Sequence, residues 1–263
     1  EACRDAGVRF VVLDRPNPIN GVIREGPTLR SGFESFVGLY PVPLRHGLTA
    51  GEIARLANDQ FGIGCELDVV PCDGWQRSHW YDETGLPFVY PSPNLPTLDS
   101  CTVYPGMVLL EGTNLSEGRG TTRPFEIFGA PFLDPYELTA QLSEHVLPGV
   151  AFRACQFEPT FQKHAARLCG GAQIHVTDRS IFRPVTTAVT ILHAVRQLAP
   201  DEFAWRLPPC EYEEEMMPID MLWGGDALRT HADAAVGPAE IMQQAAADVR
   251  DFEEQVGPYL LYD

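Results

Sequence analysis

The sequence lacks long hydrophobic runs, since no apolar stretch approaches the roughly 20 residues that a membrane-spanning helix needs. It is also poor in basic residues. Lysine and arginine together number 19 against 36 aspartates and glutamates, which gives a formal net charge of −17. Nucleic-acid binding requires a basic surface, so this balance argues against a nucleic-acid partner and against adhesion to anionic membranes. We therefore expect no nucleic-acid partner and no membrane span.

Paired cysteine and histidine motifs are absent as well. The seven cysteines are scattered, odd in number and without a C-x-x-C pair. That pattern is typical neither of a zinc site nor of a dense disulfide framework, so any disulfide would be isolated, such as one between Cys65 and Cys72. The seven histidines have no H-x-x-x-H or H-E-x-x-H spacing. We predict no metal site.

Nucleotide-binding loops are missing too. The β-branched run at residues 8–13 predicts a strand, but no G-x-G-x-x-G follows it, and the prolines that do follow would prevent a close approach of backbone to phosphate. The glycine-rich segment at residues 112–120 lacks the G-K-[ST] ending of a P-loop. We expect no nucleotide cofactor.

The sequence does contain two polar loops. Asp14, Arg15 and Asn17 follow the predicted strand at residues 8–13, and two prolines restrict the backbone there. The second loop, residues 111–123, places carboxylates, guanidinium groups and hydroxyls among glycines, after an apolar run at residues 107–110 that predicts a buried strand. Because ligands bind beyond the carboxyl ends of parallel strands, we expect the two loops to line one cleft. The alternative is a pair of polar turns held by their own ion pairs.

Capping signals predict several helices. Thr49 and Glu52 form a capping box for a helix that ends near Phe61. Asp134 and Pro135 begin another, which runs to about residue 145. The other predicted elements are strands at residues 65–70, 150–157 and 173–177, a short helix at residues 97–104, and helices that begin at residues 184 and 238.

Two segments have no regular pattern. Residues 74–96 are rich in Trp, Tyr and Pro and predict a long ordered loop. Its Trp75, Trp80 and Tyr81 form either an aromatic platform for a sugar or a small core that holds the loop. Residues 211–215 are most simply an acidic, solvated connector.

Several motifs carry a resemblance to one family. The runs LDRPNPINGV, VGLYPVPLRHGLTAGE, EGTNLSEGRGTTRPFE and CGGAQIHVTDR occur in this order and span most of the chain. They resemble the exo-β-N-acetylmuramidase family, whose members hydrolyse peptidoglycan fragments. The resemblance implies a glycoside hydrolase that releases terminal β-linked N-acetylmuramic acid, with a peptidoglycan-derived sugar or muropeptide as partner and without a cofactor.

The fold class that follows is α/β. We predict an incomplete Rossmann-like parallel sheet domain at residues 1–127, followed by a smaller α+β domain at residues 128–263. The resemblance implies a further amino-terminal portion, with a Gly-Pro-Glu-His-Gly segment that has no counterpart here. We therefore expect the chain to begin partway through a domain, and the sheet to have an open edge and exposed apolar surface.

Glycoside hydrolysis uses one carboxylic acid to protonate the leaving oxygen and a second carboxylate as base or nucleophile. Glu111 and Glu117 are the candidate carboxylates. His46 is either an assisting proton carrier or a packed structural histidine. Arginines concentrated in a pocket allow an acidic protein to bind an anionic sugar, and Arg119 or Arg123 suits the lactyl carboxylate. The predicted substrate-binding residues are Asp14, Arg15, Asn17, Asn114, Arg119 and Arg123.

The alternative function is muropeptide binding without hydrolysis, as expected if an upstream glutamate of the family is essential. The resemblance also implies a secreted or periplasmic location, although we recognise no signal peptide in the sequence.

Overall fold

The structure is a computed structural model that describes residues 1–263. Its first part mixes short strands and helices, with one two-stranded parallel sheet and one two-stranded antiparallel pair. These elements are α1 (Ala2–Asp5), β1 (Phe10–Leu13), β2 (Glu25–Thr28), β3 (Pro43–Arg45), α2 (Ala50–Gln60), β4 (Leu67–Val70) and α3 (Leu98–Met107).

The second part contains a three-stranded antiparallel sheet covered by helices, in which β7 (Cys169–Val176) lies between β5 (Ile127–Ala130) and β6 (Val150–Phe157). Its elements are β5 (Ile127–Ala130), α4 (Pro135–Ser143), β6 (Val150–Phe157), β7 (Cys169–Val176), α5 (Pro184–Leu198), α6 (Pro218–Trp223), α7 (Ala227–Asp233) and α8 (Pro238–Val256). Short 3-10 helices lie at Tyr81–Glu83, Val108–Gly112 and Gly257–Tyr259.

Local signals correctly predicted where α2, α4, α5, α8 and β6 begin, whereas β7 begins four residues before the predicted strand at residues 173–177. The hydroxyl of Thr49 accepts from the backbone N–H of Glu52, whose carboxylate accepts from the N–H of Thr49, so the capping box of α2 is confirmed. Asp134 accepts from the N–H groups of Tyr136 and Glu137 at the start of α4. Strand β6 has the predicted bounds, and α5 begins at the predicted proline.

The predicted strand at residues 107–110 is wrong. Met107 is the last residue of α3, and the chain continues as the 3-10 helix Val108–Gly112. An apolar run of four residues does not distinguish a buried strand from a buried helix. Leu109 and Leu110 are both fully buried, so the burial was predicted correctly and the backbone conformation was not.

The parallel sheet is small and open. β1 pairs with β4 in parallel register from Phe10 with Leu67 to Leu13 with Val70. Apolar side chains of this sheet are exposed, with Leu13 at 72% and Val70 at 50%. The predictions of an open sheet edge and exposed apolar surface are confirmed.

The main core lies under the second part of the chain and extends into α3. It joins Met107 and Leu110 to Phe128, Ile191 and the helices that follow. A smaller cluster packs Leu48 and Leu56 of the α2 region against Phe252 and Val256 of α8. The C-terminal helix α8 therefore packs against the first part of the chain, where it also contacts β2.

The antiparallel pair β2–β3 carries a buried charge that the sequence did not reveal. Glu25 accepts hydrogen bonds from the N–H of Val185 (3.0 Å) and from the N–H and hydroxyl of Thr186 (2.7 and 2.6 Å). It thereby caps the N-terminus of α5 from a distant strand. Burial raises the pKa of Glu25, and these hydrogen bonds partly oppose the rise.

The architecture is an α/β fold in two parts, a parallel sheet with helices and a separate antiparallel sheet with helices, as predicted. The division at residue 127 stays a prediction. All seven cysteines are free, including Cys65 and Cys72. None of the helices combines the length and apolar character needed to cross a membrane.

Candidate functional site

A cavity of about 900 Å³ lies between the β2–β3 pair, the start of α2, and the α3 and α6 helices. Five of the residues predicted to form the site line it: Arg15, Asn17, His46, Glu111 and Arg119. Both polar loops therefore contribute to one cavity, as predicted. The reason differs from the predicted one, because a helix end rather than a parallel strand places Glu111 there.

Glu111 and Arg119 are the charged pair of this cavity. A guanidinium nitrogen of Arg119 donates to Glu111 Oε1 at 2.7 Å. The Nε of Arg119 lies 3.4 Å from Oε1 of Glu117, and the Nζ of Lys163 lies 2.8 Å from the other oxygen of Glu117. Four charges thus alternate in sign from Lys163 to Glu111, and only Glu111 and Arg119 face the cavity.

Burial shifts the pKa values of several groups in this row of charged side chains. It raises the pKa of Glu111, while the hydrogen bond and charge of Arg119 oppose that rise. Burial also lowers the pKa of the Lys163 ammonium, against the attraction of Glu117. Tyr104 lines the cavity nearby, and burial followed by the charge of Glu111 raises its pKa. Glu111 therefore keeps its proton to a higher pH than an exposed glutamate does, and this is the direction that a general acid requires.

Glu117, by contrast, is closed off from the cavity. It is 2% exposed, and its two oxygens face Lys163 and Arg119. Lys163 is the only lysine of the chain, and it also donates to the carbonyls of Leu110 (2.8 Å) and Thr113 (3.1 Å). The ammonium thus combines two hydrogen bonds to the backbone of the polar loop with one ion pair to Glu117. No sequence pattern near Lys163 indicated this role.

The glycines of the loop serve packing within the chain. Gly118 (φ +79°) and Gly120 (φ +81°) have left-handed backbones. A Cβ at Gly118 would lie 2.4 Å from the carbonyl oxygen of Ile127, and one at Gly120 would lie 2.6 Å from that of Phe161. The chain's own backbone therefore occupies the space beside both glycines, and a ligand cannot approach them there.

The expectation that all the polar side chains of the two loops line one cleft is wrong for several of them. Asp14 accepts from the Thr49 hydroxyl at 2.6 Å and the Gly51 N–H at 2.8 Å, so it supports the start of α2. Asn114 bonds the backbone of Glu202 and Ala204. Neither lines the cavity, and Glu117 does not either.

Arg123 also lies away from the cavity. Its side chain is 46% exposed, and it pairs with Glu126 at 3.1 Å. Arg15 is different, since it is exposed, lines the cavity, and its side chain has neither a hydrogen bond nor an ion pair. It is a cation still available to a ligand.

His46 and Asn17 line the cavity but have structural partners. His46 Nδ1 accepts from the N–H of Leu48 at 2.9 Å, and burial lowers the pKa of His46 to about 4. The amide of Asn17 donates to the Leu48 carbonyl at 2.9 Å and accepts from the N–H of Ile19. This geometry favours the packed structural histidine over the proton carrier.

The aromatic residues of the long loop do not form a platform in the cavity. Trp75 is buried and packs edge-to-face against Tyr262, with ring centroids 4.8 Å apart. Trp80 is buried beneath the guanidinium of Arg179, 4.8 Å from the ring centroid. None of Trp75, Trp80 and Tyr81 lines the cavity, so the small-core interpretation describes them.

The fold and the site together define a class of protein: a two-part α/β protein with a large, mostly apolar cavity in which a carboxyl group of raised pKa contacts an arginine. Family models place it more narrowly. Residues 1–99 match the N-terminal model and residues 102–262 the C-terminal model of the exo-β-N-acetylmuramidase NamZ. The chain belongs to the exo-β-N-acetylmuramidase NamZ family.

Individual relatives agree with this assignment. The chain is 44% identical over 262 residues to the peptidoglycan β-N-acetylmuramidase NamZ of Bacillus subtilis (strain 168), and it spans 61% of the length of that relative. Crystal structures of two DUF1343 family proteins from Bacteroides fragilis NCTC 9343 superpose on the whole chain. Their TM-scores are 0.88 and 0.75, their identities 29% and 27%, and the match covers 68% of each.

Proposed function

We propose that this protein is a glycoside hydrolase that releases terminal β-linked N-acetylmuramic acid from peptidoglycan fragments in an exo-acting manner. The observation that carries the proposal is Glu111, a carboxyl group of raised pKa that lines the large cavity and contacts Arg119. Membership of the NamZ family and 44% identity to a peptidoglycan β-N-acetylmuramidase support it.

Glu111 is the general acid of the proposed reaction. Protonation of the glycosidic oxygen requires a carboxyl group that keeps its proton near neutral pH, and burial favours that form. Glu117 instead positions Arg119, because it is closed off from the cavity and lies between two cations. His46 supports the cavity wall through its bond to Leu48.

N-acetylmuramic acid carries a lactyl carboxylate, for which the site offers arginine. Arg15 lines the cavity without a partner, whereas Arg119 already contacts two carboxylates. We propose that Arg15 binds the lactyl carboxylate. Asn17 forms part of the cavity wall next to Arg15. A charge-assisted hydrogen bond of this kind contributes roughly 1.5–3 kcal/mol.

The test is hydrolysis of a chromogenic β-N-acetylmuraminide by the 263-residue chain, with release of the aryl alcohol followed by absorbance. We expect wild type to be active, Glu111→Gln to lose about 10²–10⁴-fold in kcat, and Glu137→Gln to match wild type. Glu137 is an exposed glutamate on α4 and serves as the matched control. The corresponding β-N-acetylglucosaminide lacks the lactyl carboxylate and should be a poorer substrate.

The competing function is muropeptide binding without hydrolysis. The chain spans 61% of the length of the Bacillus subtilis relative, so we test this alternative beside hydrolysis. Calorimetric binding of N-acetylmuramic acid sugars without turnover would support this alternative, and absence of both binding and turnover would contradict the proposed function.

We also propose a secreted or periplasmic location, where peptidoglycan fragments are found. Immunodetection in fractionated cells tests this proposal, and detection in the cytoplasm alone would contradict it.

A further inference from the structure

Only two acidic residues line the cavity, Glu111 and Glu211. Glu117, the other carboxylate of the polar loop, is buried between Lys163 and Arg119 and does not reach it. The usual hydrolysis of a glycosidic bond requires two carboxyl groups on the reacting sugar. The cavity therefore supplies a second carboxylate from a segment that the sequence pattern described as a solvated connector.

We propose that Glu211 is the second catalytic carboxylate of this site, acting as the base that activates water opposite Glu111. This assignment rests on the proposed glycosidase function. It identifies the partner of Glu111 within the chain itself.

The surroundings of Glu211 suit a base. Its side chain is exposed to solvent at the cavity and has no hydrogen bond or ion pair, so water reaches it and no cation occupies it. Tyr104 lines the same cavity as Glu111 and Glu211. After burial, the charges of Glu111 and Glu211 raise the pKa of Tyr104, and the charge of Arg119 opposes them. Both carboxyl groups are thus part of the lining of one cavity.

The backbone holds Glu211 there through an unusual turn. Cys210 and Glu213 exchange backbone hydrogen bonds of 2.9 and 2.8 Å, with Glu211 (φ +47°) and Tyr212 (φ +67°) between them. Two left-handed central residues are the signature of a type I′ turn, which favours Asn-Gly. A Glu-Tyr pair in these positions is unfavourable on conformational grounds, and such strain is concentrated at functional sites.

The tip of this turn also contacts a loop that contributes residues to the cavity. The ring of Tyr212 packs edge-to-face on Phe36, with centroids 5.2 Å apart. Both rings are otherwise exposed, at 89% and 71%. Phe36 belongs to the loop whose next residues, Val37 and Leu39, line the cavity. The turn therefore contacts the loop that contributes Val37 and Leu39 to the cavity lining.

The proposed step is balanced with water as the only co-reactant. The Glu211 carboxylate takes a proton from water as the water oxygen bonds to C1 of the sugar. The C1–O bond to the leaving group breaks, and Glu111 gives its proton to the leaving oxygen. Exchange with solvent restores both groups. Direct attack by water inverts the configuration at C1, so a β-linked substrate gives the α-anomer first.

The experiment compares the variants Glu211→Gln, Glu211→Asn and Glu214→Gln with wild type and Glu111→Gln. Asparagine accepts left-handed backbone more readily than other non-glycine residues, so Glu211→Asn removes the carboxylate and preserves the turn. Glu214 is exposed on the same loop and does not line the cavity, so its variant removes the same charge without touching the site.

We expect both Glu211 variants to lose about 10²–10⁴-fold in kcat on the chromogenic muraminide with little change in KM, and Glu214→Gln to match wild type. In the pH profile, Glu211→Gln should lose the acidic limb and keep the alkaline limb, because the base must be ionised and the acid protonated. Proton NMR should detect the α-anomer first. Wild-type rates in the Glu211 variants, or a first-formed β-anomer, would overturn the assignment.

A binding measurement separates this proposal from the proposed function. The probe is 2-acetamido-1,2-dideoxynojirimycin, whose ring ammonium imitates the charge that develops at the sugar ring. We expect calorimetry to show at least a tenfold weaker affinity for Glu211→Gln and no change for Glu214→Gln. If Glu111→Gln loses activity and Glu211→Gln retains both activity and affinity, only the Glu211 assignment fails. If wild type neither hydrolyses the muraminide nor binds the probe, the proposed function fails, and the Glu211 assignment with it.

Discussion

The Nζ of Lys163 lies 2.8 Å from Oε2 of Glu117, and this contact joins the only lysine of the chain to a carboxylate that is 2% exposed. Lys163 belongs to the segment between β6 and β7, whereas Glu117 belongs to the loop that carries Glu111 and Arg119. Through this ion pair, the antiparallel sheet domain therefore supports the loop that carries Glu111 and Arg119.

Removal of one partner of this pair should destabilise the protein. In Lys163→Met, Glu117 keeps only Arg119 as a cation, and we expect the free energy of unfolding to fall by roughly 3–5 kcal/mol. The double variant Lys163→Met/Glu117→Gln should lose less than the sum of the single variants, because no uncompensated charge remains. Urea denaturation of the four proteins measures the coupling. Additive losses would contradict a direct ion pair.

Arg119 should control the alkaline limb of the activity profile. Its hydrogen bond and charge lower the pKa of Glu111, so Arg119→Met should raise that pKa further. A general acid works while protonated, and the alkaline limb of kcat/KM should therefore move to higher pH. Arg123→Met is the control, since Arg123 lies away from the cavity. A shift to lower pH in Arg119→Met would contradict the role of Glu111 as the acid.

Arg15 should determine the preference for a carboxylate-bearing sugar. We expect Arg15→Ala to weaken binding of N-acetylmuramic acid by about 10- to 150-fold and to leave the weaker binding of N-acetylglucosamine nearly unchanged. Arg123→Ala should affect neither sugar. Competition binding with both sugars provides the measurement. Equal losses on the two sugars in Arg15→Ala would mean that the arginine supports the loop and does not recognise the carboxylate.

The C-terminal tail should stabilise the first part of the chain. The hydroxyl of Tyr262 donates to Asp14 Oδ2 at 2.6 Å and accepts from the N–H of Cys72 at 2.9 Å. Tyr262→Phe should lower the free energy of unfolding by about 1.5–3 kcal/mol, because a charge-assisted bond is lost. Tyr259 makes a similar bond to Asp59 in solvent, so Tyr259→Phe should cost less. An equal effect of the two variants in thermal denaturation would contradict this role of the tail.

Glu25 should make stability depend on pH. Burial raises its pKa in the folded protein, so the unfolded state loses this proton at lower pH than the folded state does. The contribution of Glu25 is therefore fully present below the ordinary carboxyl pKa and falls as the pH rises through the raised value. Glu25→Gln does not titrate, and wild type should lose stability relative to it over that interval. Denaturant unfolding of both proteins as a function of pH measures the difference, and a constant difference would contradict the raised pKa.

Much of the fold could be predicted because its signals are local. The capping box of Thr49 and Glu52, and Asp134 before Pro135, determine helix starts through contacts within one turn. The four apolar residues at 107–110 were misassigned because burial alone does not specify the backbone conformation.

The candidate site was predictable only in part. Glu111, Arg119 and Arg15 stand in conspicuous polar loops, and the structure brings them to one cavity. Glu211 was assigned to a solvated connector because no local sequence pattern indicates its left-handed backbone or its place at the cavity, whose other lining residues are mostly distant in the sequence.

The sequence by itself determined the helix caps, the strand β6, the family motifs and the set of charged residues available for chemistry. Tertiary structure decided which of those charged side chains face the cavity and which are enclosed in ion pairs outside it. Glu117 and Glu111 stand six positions apart in one loop, yet one is enclosed by Lys163 and Arg119 while the other lines the cavity. Desolvation and ion pairing depend on the three-dimensional surroundings of a side chain, and those surroundings come from residues distant in the sequence.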